Sequence, residues 1–438
     1  MSKCKIGLIG FGTVGKGVYK ILNSSKNPHP ILKDIKIEKI VVKNLTKNRD
    51  LPIDKELLTN DFNLLIDDPS IDVIVEVMGG TTLAKEIILK SLQAGKSVVT
   101  ANKAVIARYG QEIYDAASQN GVYVLFEAAV CGGIPIIEPI KKSLKSNTIN
   151  KMSGIINGTT NFILSKMTKE NSTYEESLKL AQDLGYAELD PTADVEGNDA
   201  ADKISILTEL AFGGKINRED IDTEGINNID QKDIEYAKKL GFEVKLLAVS
   251  ERIEQTDNNQ SSALNIWVGP TLIPNNHPLA SVEGVNNAIL VEADPIGEIM
   301  LYGPGAGSGP TASSVVSDIL SLQAISFKAG QNLRNYIDPL LSFNFWDSCH
   351  VIATKEVRKK KYLRIICEDS PGVIGKIGSI FGDNGVSIES IMQLDARENE
   401  AEIVVITHEV TNGAIKVSKK ELDSLPEVKL IASQLNCI

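Results

Sequence analysis

Residues 4–15 read CKIGLIGFGTVG, an apolar run that leads directly into three glycines, and the residues that follow have the character of a helix. A GxGxxG spacing between a strand and a helix is the fingerprint of a dinucleotide-binding βαβ unit. Gly10 permits the tight turn, Gly12 lets the backbone approach a pyrophosphate, and Gly15 allows close packing of the helix. The helix N-terminus offers unpaired N–H groups to the phosphates. The stretch therefore predicts a Rossmann-type domain that binds a dinucleotide.

The second predicted strand, IKIEKIVVK (35–43), ends without the acidic residue that usually meets the ribose hydroxyls of NAD. Lys43, Lys47 and Arg49 are found there instead. Their charges could neutralise a 2′-phosphate, so we expect a preference for NADP. The alternative is that these cations only form a solvated loop, and NAD then stays open as the cofactor.

Lys103 lies at the carboxyl end of a further predicted strand, within KSVVTANKAVIA (96–107). Open α/β sheets bind ligands at this end of their strands. A lysine here is usually an exposed terminator, but apolar residues follow it at once. We therefore expect its ammonium group to point across the cleft. A buried strand at 71–80, and a strand with a glycine turn at 121–137, complete the first domain.

The stretch LGYAELDPTADVEGNDAADK (184–203) makes little sense as scaffold, because it holds six acidic side chains and one lysine. Apolar spacing predicts a helix from Asn198, which places Asp199 and Lys203 one turn apart on one face. A surface salt bridge is the ordinary interpretation of such a pair. Crowded carboxylates repel one another unless a cation or polar group is bound among them. The stretch is therefore expected to receive a small substrate that carries an amine.

Length, charge and composition limit the number of domains, the kinds of partner and the kinds of catalytic site that this chain can have. The 438 residues suffice for about three domains, and a formal charge of −11 argues against nucleic-acid and anionic-membrane partners. We find neither an apolar run of about 20 residues nor a secretory signal, so a cytoplasmic location is expected. The five cysteines and four histidines are scattered, which predicts neither disulfides, a metal cluster nor a Ser-His-Asp arrangement. The chemistry must then rely on lysines, carboxylates and a cofactor.

The C-terminal residues 362–438 predict a ferredoxin-like unit, because strands and helices follow in the order βαββαβ. The basic run RKKK ahead of it is expected to be a solvated part of a linker. The glycine-rich loop within 300–323 is expected to close over the cofactor, with Gly303 in the turn. The expected units are a dinucleotide-binding domain (1–130), an α+β catalytic and dimerisation domain with a mixed sheet (131–310), a helical segment that returns to the first domain (311–345), the linker (346–361) and the C-terminal unit.

Six motifs together make the chain resemble homoserine dehydrogenase over nearly its whole length. They are GFGTVG (10–15), VVTANKA (98–104), EAAVCGGIPII (127–137), NGTTNFIL (157–164), LGYAELDPTADVEGNDAADK (184–203) and YGPGAG (302–307). The C-terminal unit is similar to an ACT domain in its DSPGVIGKIGSIF loop and helix. The resemblance implies an enzyme that interconverts L-aspartate 4-semialdehyde and L-homoserine with NADP or NAD, on the route to threonine and methionine.

The same resemblance implies roles for single residues. Lys103 and Lys203 correspond to the catalytic lysines, while Glu188, Asp194 and Asp199 correspond to residues that hold homoserine or organise the site. A sodium ion is implied in the turn after the strand that ends at Glu127, chiefly on the backbone carbonyls of Glu127, Val130, Gly132 and Ile134. The positions expected to contact the cofactor are Gly10, Phe11, Gly12, Thr13, Val14, Gly15, Lys43, Arg49, Thr100, Lys103, Gly185, Glu188 and Gly303.

Reduction of an aldehyde needs a hydride and a proton for the developing alkoxide, and a lysine ammonium group can stabilise that oxygen and donate the proton. We expect Lys203 to be the general acid, oriented by Asp199, while Lys103 shares the electrostatic work. Neighbouring ammonium groups lower each other's pKa and carboxylates raise it, so the net shift stays open. Family members often have a histidine or tyrosine in place of Asp202, and this extra carboxylate could raise the pKa of Lys203.

The ammonium group of homoserine needs a counter-charge, and Glu188 is the first candidate, followed by Asp194. The alternative is that these acids merely solvate a loop.

Two other functions stay open at this point. One is a dehydrogenase of another amino-acid semialdehyde, and the other is a catalytically silent amino-acid sensor in which the ACT unit is the working part. The two lysines and the intact glycine loop argue against the sensor. The ACT unit is expected to pair with another copy in a homodimer or homotetramer. An amino-acid effector, with threonine as the natural candidate, is expected near Asp369, Gly372 and Val373.

Overall fold

Six strands form the sheet of the first domain in the computed structural model, which describes residues 4–24, 29–253, 262–329, 338–397 and 399–438. The strands are β1 (Cys4–Ile9), β2 (Ile35–Val41), β3 (Leu58–Thr59), β4 (Val73–Glu76), β5 (Ser97–Thr100) and β6 (Val124–Leu125). Their spatial order is β3-β2-β1-β4-β5-β6, and every neighbouring pair is parallel. This is the doubly wound order, in which winding reverses beside β1. The predicted Rossmann-type domain is confirmed, with its glycine turn at the point of reversal.

Helices cover both faces of this sheet and surround the strands that follow. In the described residues they are α1 (Thr13–Leu22), α2 (Asn63–Ile66), α3 (Thr82–Gln93), α4 (Lys103–Asn120), α5 (Ile137–Lys141), α6 (Gly158–Glu170), α7 (Tyr174–Asp183), α8 (Thr192–Val195), α9 (Asn198–Phe212), α10 (Gln231–Lys239), α11 (Ser308–Ala329), α12 (Val373–Asp383) and α13 (Asn412–Leu422). None of these helices is both long and apolar enough to cross a bilayer.

Helix α11 ties the end of the second domain to the first. It packs on α1 against one face of the parallel sheet, where Ala312, Val315 and Ile319 are buried, while α3 and α4 cover the other face. The helix overlaps the segment 311–345 that was expected to return to the first domain. Residues 330–337 of that segment lie outside the described residues.

A second, mixed sheet runs through the rest of the chain. Its strands are β7 (Thr148–Ile155), β8 (Asp222–Thr223), β9 (Phe242–Ile253), β10 (Ser262–Pro274), β11 (Asn286–Asp294), β12 (Gly297–Pro304), β13 (Cys349–Val351), β14 (Arg358–Glu368), β15 (Ile388–Arg397), β16 (Glu400–Thr407), β17 (Val410–Thr411) and β18 (Val428–Cys437). The main order is β12-β11-β7-β9-β10-β18-β14-β16-β15. The sheet of the second domain therefore continues into the third through a short parallel pairing of β10 with β18.

The third domain confirms the predicted ferredoxin-like unit, since β14, α12, β15, β16, α13 and β18 follow in that order with the short strand β17 added. Its core is formed by the apolar side of the sheet under two helices. Ile377 and Phe381 of α12 and Ile415 of α13 are buried there against the strands.

The basic run at 358–361 does not form a linker, and this prediction was wrong. β14 begins at Arg358, and the side chains of Lys359 and Lys361 are buried. Alternate residues of a strand point to the same face, so these two lysines lie together under the sheet. Their Nζ atoms lie 3.2 Å from Asp222 Oδ2 and 2.8 Å from Asn436 Oδ1, respectively. The charges are satisfied by residues distant in sequence, so the domain starts before the predicted boundary at 362.

Arg364 of β14 is buried where the third domain meets α10. Its guanidinium group donates to Asp233 over 2.7 Å and lies 3.5 Å from Glu402. Asp233 is fully buried and also accepts hydrogen bonds from the hydroxyl groups of Tyr362 and Ser433. Removing one partner from a buried ion pair typically costs about 3–5 kcal/mol. The network therefore fixes the third domain firmly against the second.

Candidate active site

Helix α9 carries the pair that stood out in the sequence, Asp199 and Lys203. Gly197, with a φ of 82°, turns the chain into the helix in a conformation that favours glycine. Lys203 follows Asp199 by one turn, and its Nζ lies 2.7 Å from Asp199 Oδ2. Lys203 is only 8% exposed and also donates to the carbonyl oxygen of Ile156 over 2.7 Å. The pair is therefore a buried ion pair and not a surface salt bridge.

Lys103 reaches the same carboxylate from the first domain. It is the first residue of α4, and the side chain of Asn102 caps this helix by accepting from the Val105 N–H. The Lys103 ammonium group pairs with Oδ1 of Asp199, while Lys203 occupies Oδ2. About 39% of the Lys103 side chain is exposed, against 11% for Lys203. One carboxylate thus joins two ammonium groups, one buried and one still open to solvent.

Asn157, which was not predicted as a site residue, completes this cluster. Its side-chain nitrogen donates to Asp194 over 2.7 Å and to Asp199 over 2.8 Å. Its oxygen accepts from the Thr160 N–H, because Asn157 is the N-cap of α6. A capping asparagine uses only its oxygen for the helix, which leaves two donors for the carboxylates. The NGTT motif could have indicated this role. An asparagine that caps a helix through its oxygen keeps its NH2 group free to donate to nearby carboxylates.

Charge sharing sets the protonation states in the cluster. Burial alone would raise the pKa of Asp199, but the ammonium groups of Lys203 and Lys103 outweigh burial and hold that pKa well below its usual range. Burial disfavours the Lys203 ammonium form, yet the Asp199 carboxylate keeps the pKa of Lys203 above its ordinary value. Burial, together with the charge of Asp199, raises the pKa of Asp194. The shift of Lys203 that the sequence left open is therefore upward.

Asp202 is paired with an arginine from the segment that follows α9. Its Oδ1 accepts from Arg218 Nε over 2.9 Å, and the same guanidinium group lies 3.2 Å from the side-chain oxygen of Asn198. Asp199 is the largest of the charges that raise the pKa of Lys203. Arg218 therefore pairs with the carboxylate that was expected to raise the pKa of Lys203.

A cleft of about 1680 Å³ opens beside the cluster, between α4 and α9. Lys103 and Asp199 line it, together with Asp202 and Arg218. The volume exceeds the roughly 300–1,000 Å³ of ordinary small-molecule sites. Within the described residues, the glycine turn after β1 does not line the cleft. The cleft therefore adjoins the cluster of Lys103 and Asp199 and not the glycine turn.

The glycine turn has the geometry that a close approach to phosphate needs. Gly10 adopts a φ of 104°, and a Cβ on Gly15 would lie 2.2 Å from the Gly10 carbonyl oxygen. A Cβ on Gly12 would meet nothing within 4 Å. The turn itself thus requires glycine at the first and third positions, while the space over the middle one is free. α1 starts at Thr13, followed by Val14, so its first N–H groups face this space.

Two of the other expected cofactor residues are turned inward. Phe11 is buried and packs edge-on against Tyr19, with 5.7 Å between ring centroids. Thr100 is also buried, and its hydroxyl group donates to Glu76 over 2.6 Å. Their side chains serve the domain core and a buried carboxyl group, so any contact with the cofactor would be through the main chain.

The cationic loop after β2 is exposed at Lys43 and Lys47. Arg49 is folded back on the same loop, where its guanidinium nitrogens donate to the carbonyls of Asn44 and Lys47 over 2.6 Å and 2.8 Å. Lys43 and Lys47 are therefore the cations of this loop that can meet a phosphate without breaking side-chain contacts such as those of Arg49. Arg49 would first have to leave its carbonyl partners.

Gly303 does not lie in a turn, which corrects the prediction for residues 300–323. It belongs to β12, opposite Asn287 of β11, and the turn itself follows at 305–307. The helix that follows this turn contacts the nucleotide-binding domain, since the hydroxyl group of its first residue, Ser308, donates to the carbonyl of Thr13 over 2.7 Å. The strand extends further than expected, and closure of the glycine-rich segment over the cofactor stays a prediction.

The turn after Glu127 is built from main-chain groups. The Glu127 carboxylate accepts from the N–H groups of Ile136, Ile137 and Glu138 at 2.6–2.8 Å, so it caps α5. Cys131 and Gly132 follow with φ of 54° and 51°. The carboxylate already accepts from three N–H groups, so the carbonyl oxygens of this turn are the main groups left for a hard cation. Clusters of three or more His, Cys, Asp or Glu side chains suited to a metal are absent from the described residues. The Gly132 carbonyl already accepts from the Ser314 hydroxyl group over 2.6 Å, and the Glu127 carbonyl accepts from the Val130 N–H over 3.4 Å, so the backbone sodium site stays a prediction.

Among the described residues, neither Glu188 nor Gly185 makes a hydrogen bond or ion pair with the lysine cluster. The Glu188 side chain is exposed and makes no hydrogen bond or ion pair with the part of the chain that the structure describes. Gly185 has a φ of 75° and open space around it. Of the two expected counter-charges for a substrate amine, the structure brings only Asp194 to the cluster.

Asn287 is a second buried amide that the sequence analysis missed. It is completely buried, and a Cβ on Gly305 would lie 2.1 Å from its side-chain nitrogen. Neither amide atom has a hydrogen-bond partner among the described residues, although the Cys131 thiol lies beside it. Asn287 therefore supports the 305–307 turn from below, next to the site. No local sequence pattern points to it.

Comparison with known proteins shows which family has this sequence and this arrangement of domains. The chain matches the family model described as homoserine dehydrogenase over residues 135–320 and the homoserine dehydrogenase NAD-binding domain over residues 10–127. Residues 361–427 match the ACT domain. A homoserine dehydrogenase of Synechocystis sp. is 49% identical over 99% of both chains. The chain belongs to the homoserine dehydrogenase family.

Other homoserine dehydrogenases agree with this assignment. The Bacillus subtilis enzyme is 41% identical over 99% of this chain and 98% of its own. The crystal structure of a homoserine dehydrogenase from Thiobacillus denitrificans superimposes with a TM-score of 0.90 at 36% identity, covering 100% and 98% of the two chains. A hyperthermophilic archaeal homoserine dehydrogenase in complex with NADPH covers 73% of this chain and 97% of its own, with a TM-score of 0.60 at 28% identity. This homoserine dehydrogenase is thus an oxidoreductase with an NAD-binding domain and an ACT domain.

Proposed function

We propose that this homoserine dehydrogenase interconverts L-aspartate 4-semialdehyde and L-homoserine, with Lys203 as the group that gives and takes the proton. The observation that carries the proposal is the Asp199 carboxylate between the ammonium groups of Lys203 and Lys103, at the edge of the cleft. Asp199 keeps Lys203 protonated at neutral pH, because it raises the pKa of that lysine.

The nicotinamide, when bound, supplies the hydride for the carbonyl carbon. Lys203 stabilises the negative charge that develops on the carbonyl oxygen and transfers its proton to it. Asp199 orients Lys203 and balances the charge left behind. Lys103, which keeps solvent access, attracts the same oxygen region. In the reverse direction, Lys203 must be neutral to accept the hydroxyl proton of homoserine, so oxidation should become faster as the pH rises.

The substrate is tested by initial rates with the purified full chain. L-homoserine and other amino alcohols with different chain lengths are offered with NADP and NAD. Turnover of L-homoserine well above its homologues supports the proposal. Faster turnover of another amino alcohol would favour a different semialdehyde, and no turnover with any of them would favour an amino-acid sensor.

NADP is the proposed cofactor in preference to NAD, on the ground that Lys43 and Lys47 are exposed after β2 and no acidic residue occupies that strand end. Lys43→Ala should raise the KM for NADP while leaving the KM for NAD unchanged. Lys33→Ala, another cation of the same domain, is the control. Equal KM values for the two cofactors in the wild type would contradict the preference.

The carbonyl oxygens of Glu127, Val130, Gly132 and Ile134 are the proposed sodium ligands, because the Glu127 carboxylate is occupied by three N–H groups. The ion would stiffen the turn that links β6 to α5. Thermal unfolding in sodium chloride and in choline chloride at equal ionic strength tests this. A higher Tm in sodium chloride is expected, and equal values would contradict the site.

Asp194, with Glu188 as the second candidate, is proposed to bind the substrate ammonium group. Asp194 is supported by its hydrogen bond to Asn157, which also holds Asp199. Asp194→Asn should raise the KM for homoserine far more than the KM for NADP. A similar rise for both would indicate a folding defect.

The ACT domain is proposed to bind an amino-acid effector near Asp369, Gly372 and Val373, and to pair with another copy of itself. β15 is an open edge of its sheet, and such edges are ready to pair. Activity and Tm that do not change in a millimolar threonine titration would contradict threonine as the effector. Light scattering after size exclusion would separate a dimer from a tetramer.

The remaining finer assignments are also proposals. They are the cytoplasmic location and the domain limits 1–130, 131–310 and 311–345, with the start of the ACT domain moved to Arg358.

A further inference from the structure

A crevice of about 380 Å³ lies between the catalytic and ACT domains, where β10 and β18 separate. The two strands pair only at Thr271 with Asn436 and at Leu272 with Cys437. Before these pairs the strands diverge, and Pro270 and the run 431–435 line the gap. Its volume lies at the lower end of the range for small-molecule sites, about 300–1,000 Å³.

One wall of the crevice is the unpaired edge of β18. Five consecutive residues, 431–435, line it, as expected for the edge of a strand and not for its face. β18 pairs with β14 along its other edge, and Ala432 forms a bulge there, since Ser433 lies opposite Arg364 and Ile431 opposite Ile365. Toward the crevice, the N–H and C=O groups of 431–435 have no main-chain partner among the described residues. These groups require a ligand or water.

Two unpaired side chains of opposite charge complete the crevice. Glu224 lies on the catalytic domain and Lys419 on helix α13 of the ACT domain. Neither side chain makes a hydrogen bond or a salt bridge within the described part of the chain, although both line the same gap. Burial raises the pKa of the Glu224 carboxyl group, and the positive charges of Lys361, Lys359 and Lys419 act against this rise. The crevice thus offers an anion, a cation and a row of main-chain donors and acceptors.

We propose that this crevice binds a free α-amino acid. The ligand's ammonium group pairs with Glu224 and its carboxylate with Lys419, while the edge of β18 supplies hydrogen bonds to both groups. An extended peptide fits less well, because β10 closes the strand edge at Asn436 and Cys437. The site is separate from the proposed effector turn at Asp369, Gly372 and Val373.

The crevice is in direct contact with the segment that carries the catalytic carboxylates. The Ile226 N–H donates to the carbonyl of Val195 over 2.8 Å, and a Cβ on Gly225 would lie 2.3 Å from that oxygen. Val195 directly follows Asp194. An amino acid that binds Glu224 and holds the neighbouring residues in place is therefore expected to change the KM for homoserine.

The test is a thermal-shift screen of the common α-amino acids, each at millimolar concentration, on the full chain. At least one should raise the Tm of the wild type and of Asp369→Asn, but not of Glu224→Gln or Lys419→Met. Its N-acetyl derivative and its methyl ester should both fail, because each lacks one of the two charges. Titration calorimetry of the same amino acid should show affinity weaker by about tenfold or more in each crevice variant.

Three outcomes would overturn the proposal. They are the absence of any shift across the screen, a shift that survives in both crevice variants, and a shift that is lost only in Asp369→Asn, which would assign the ligand to the ACT turn. Glu224 and Lys419 lie at the surface of the gap, and circular dichroism of both variants verifies their folding.

Discussion

Asp199→Asn removes the charge that joins the two lysines while preserving the size of the side chain. In the wild type, 2.7 Å separates Asp199 Oδ2 from Lys203 Nζ. Two unit charges at this distance attract by about 6 kcal/mol at an effective dielectric constant of about 20. Burial of the ammonium group opposes this attraction and persists in the variant. Since about 1.4 kcal/mol corresponds to one pKa unit, the pKa of Lys203 should fall by at least about one unit.

The assay is kcat/KM for L-homoserine oxidation as a function of pH. Oxidation needs neutral Lys203, so the wild-type rate should rise through the alkaline range, where Asp199 holds the pKa of Lys203 above its ordinary value. In Asp199→Asn the rising limb of the pH profile should move to lower pH by at least about one unit. The plateau should also be lower, because Asp199 orients Lys203 and well-placed acid–base catalysis contributes about 10²–10⁴-fold to the rate. Asp183→Asn is the matched control, because Asp183 pairs with Lys179 over the same 2.7 Å on an exposed helix face.

A uniformly lower profile of unchanged shape would refute this reasoning. It would mean that Asp199 positions the substrate without setting the pKa of Lys203. Breaking a buried ion pair can also cost about 3–5 kcal/mol of stability, so the unfolding midpoint of the variant must be measured at each pH used.

Two further predictions concern stability and the cofactor. Gly15→Ala should lower the Tm measured without cofactor, because its Cβ would lie 2.2 Å from the Gly10 carbonyl oxygen. The Cβ of Gly12→Ala would meet no atom within 4 Å, so this variant should raise only the KM for the cofactor. Equal Tm values for the two variants would contradict this prediction. Burial raises the pKa of Glu209 from 4.5 to about 7, so its stabilising contribution is complete below about pH 4.5 and is lost as the pH rises through 7. At about 1.4 kcal/mol per pKa unit, the stability lost amounts to about 3 kcal/mol. Glu209→Gln should therefore reduce the fall in Tm between pH 5 and 8. An unchanged fall would assign the pH dependence to other groups.

Local patterns predicted much of the fold and part of the site. The apolar run before Gly10 and the glycine spacing depend on neighbours in sequence, so the strand, turn and helix were placed correctly. The pairing of Asp199 with Lys203 follows from the helical period alone. Lys103 was placed at the cleft because parallel strands deliver ligand-binding residues at their carboxyl ends.

Contacts between distant residues could not be predicted in the same way. Lys359 was assigned to a solvated linker because its partner, Asp222, is 137 residues away. Asp202 was expected to act on Lys203, but Arg218 from the next segment pairs with it. The buried amide of Asn287 owes its position to a turn that becomes adjacent only through strand pairing. In each case the sequence shows a charge or amide, and only the tertiary fold shows which residues lie next to it.

The central claim, that Lys203 transfers the proton, is tested most directly by the rate of L-homoserine oxidation in Lys203→Ala. We predict that kcat falls by about 10²–10⁴-fold while the KM for homoserine changes little. Lys179→Ala removes an exposed lysine with the same spacing to its carboxylate and should behave as the wild type. A near-normal kcat with a raised KM in Lys203→Ala would contradict the claim and make Lys203 a substrate-binding residue.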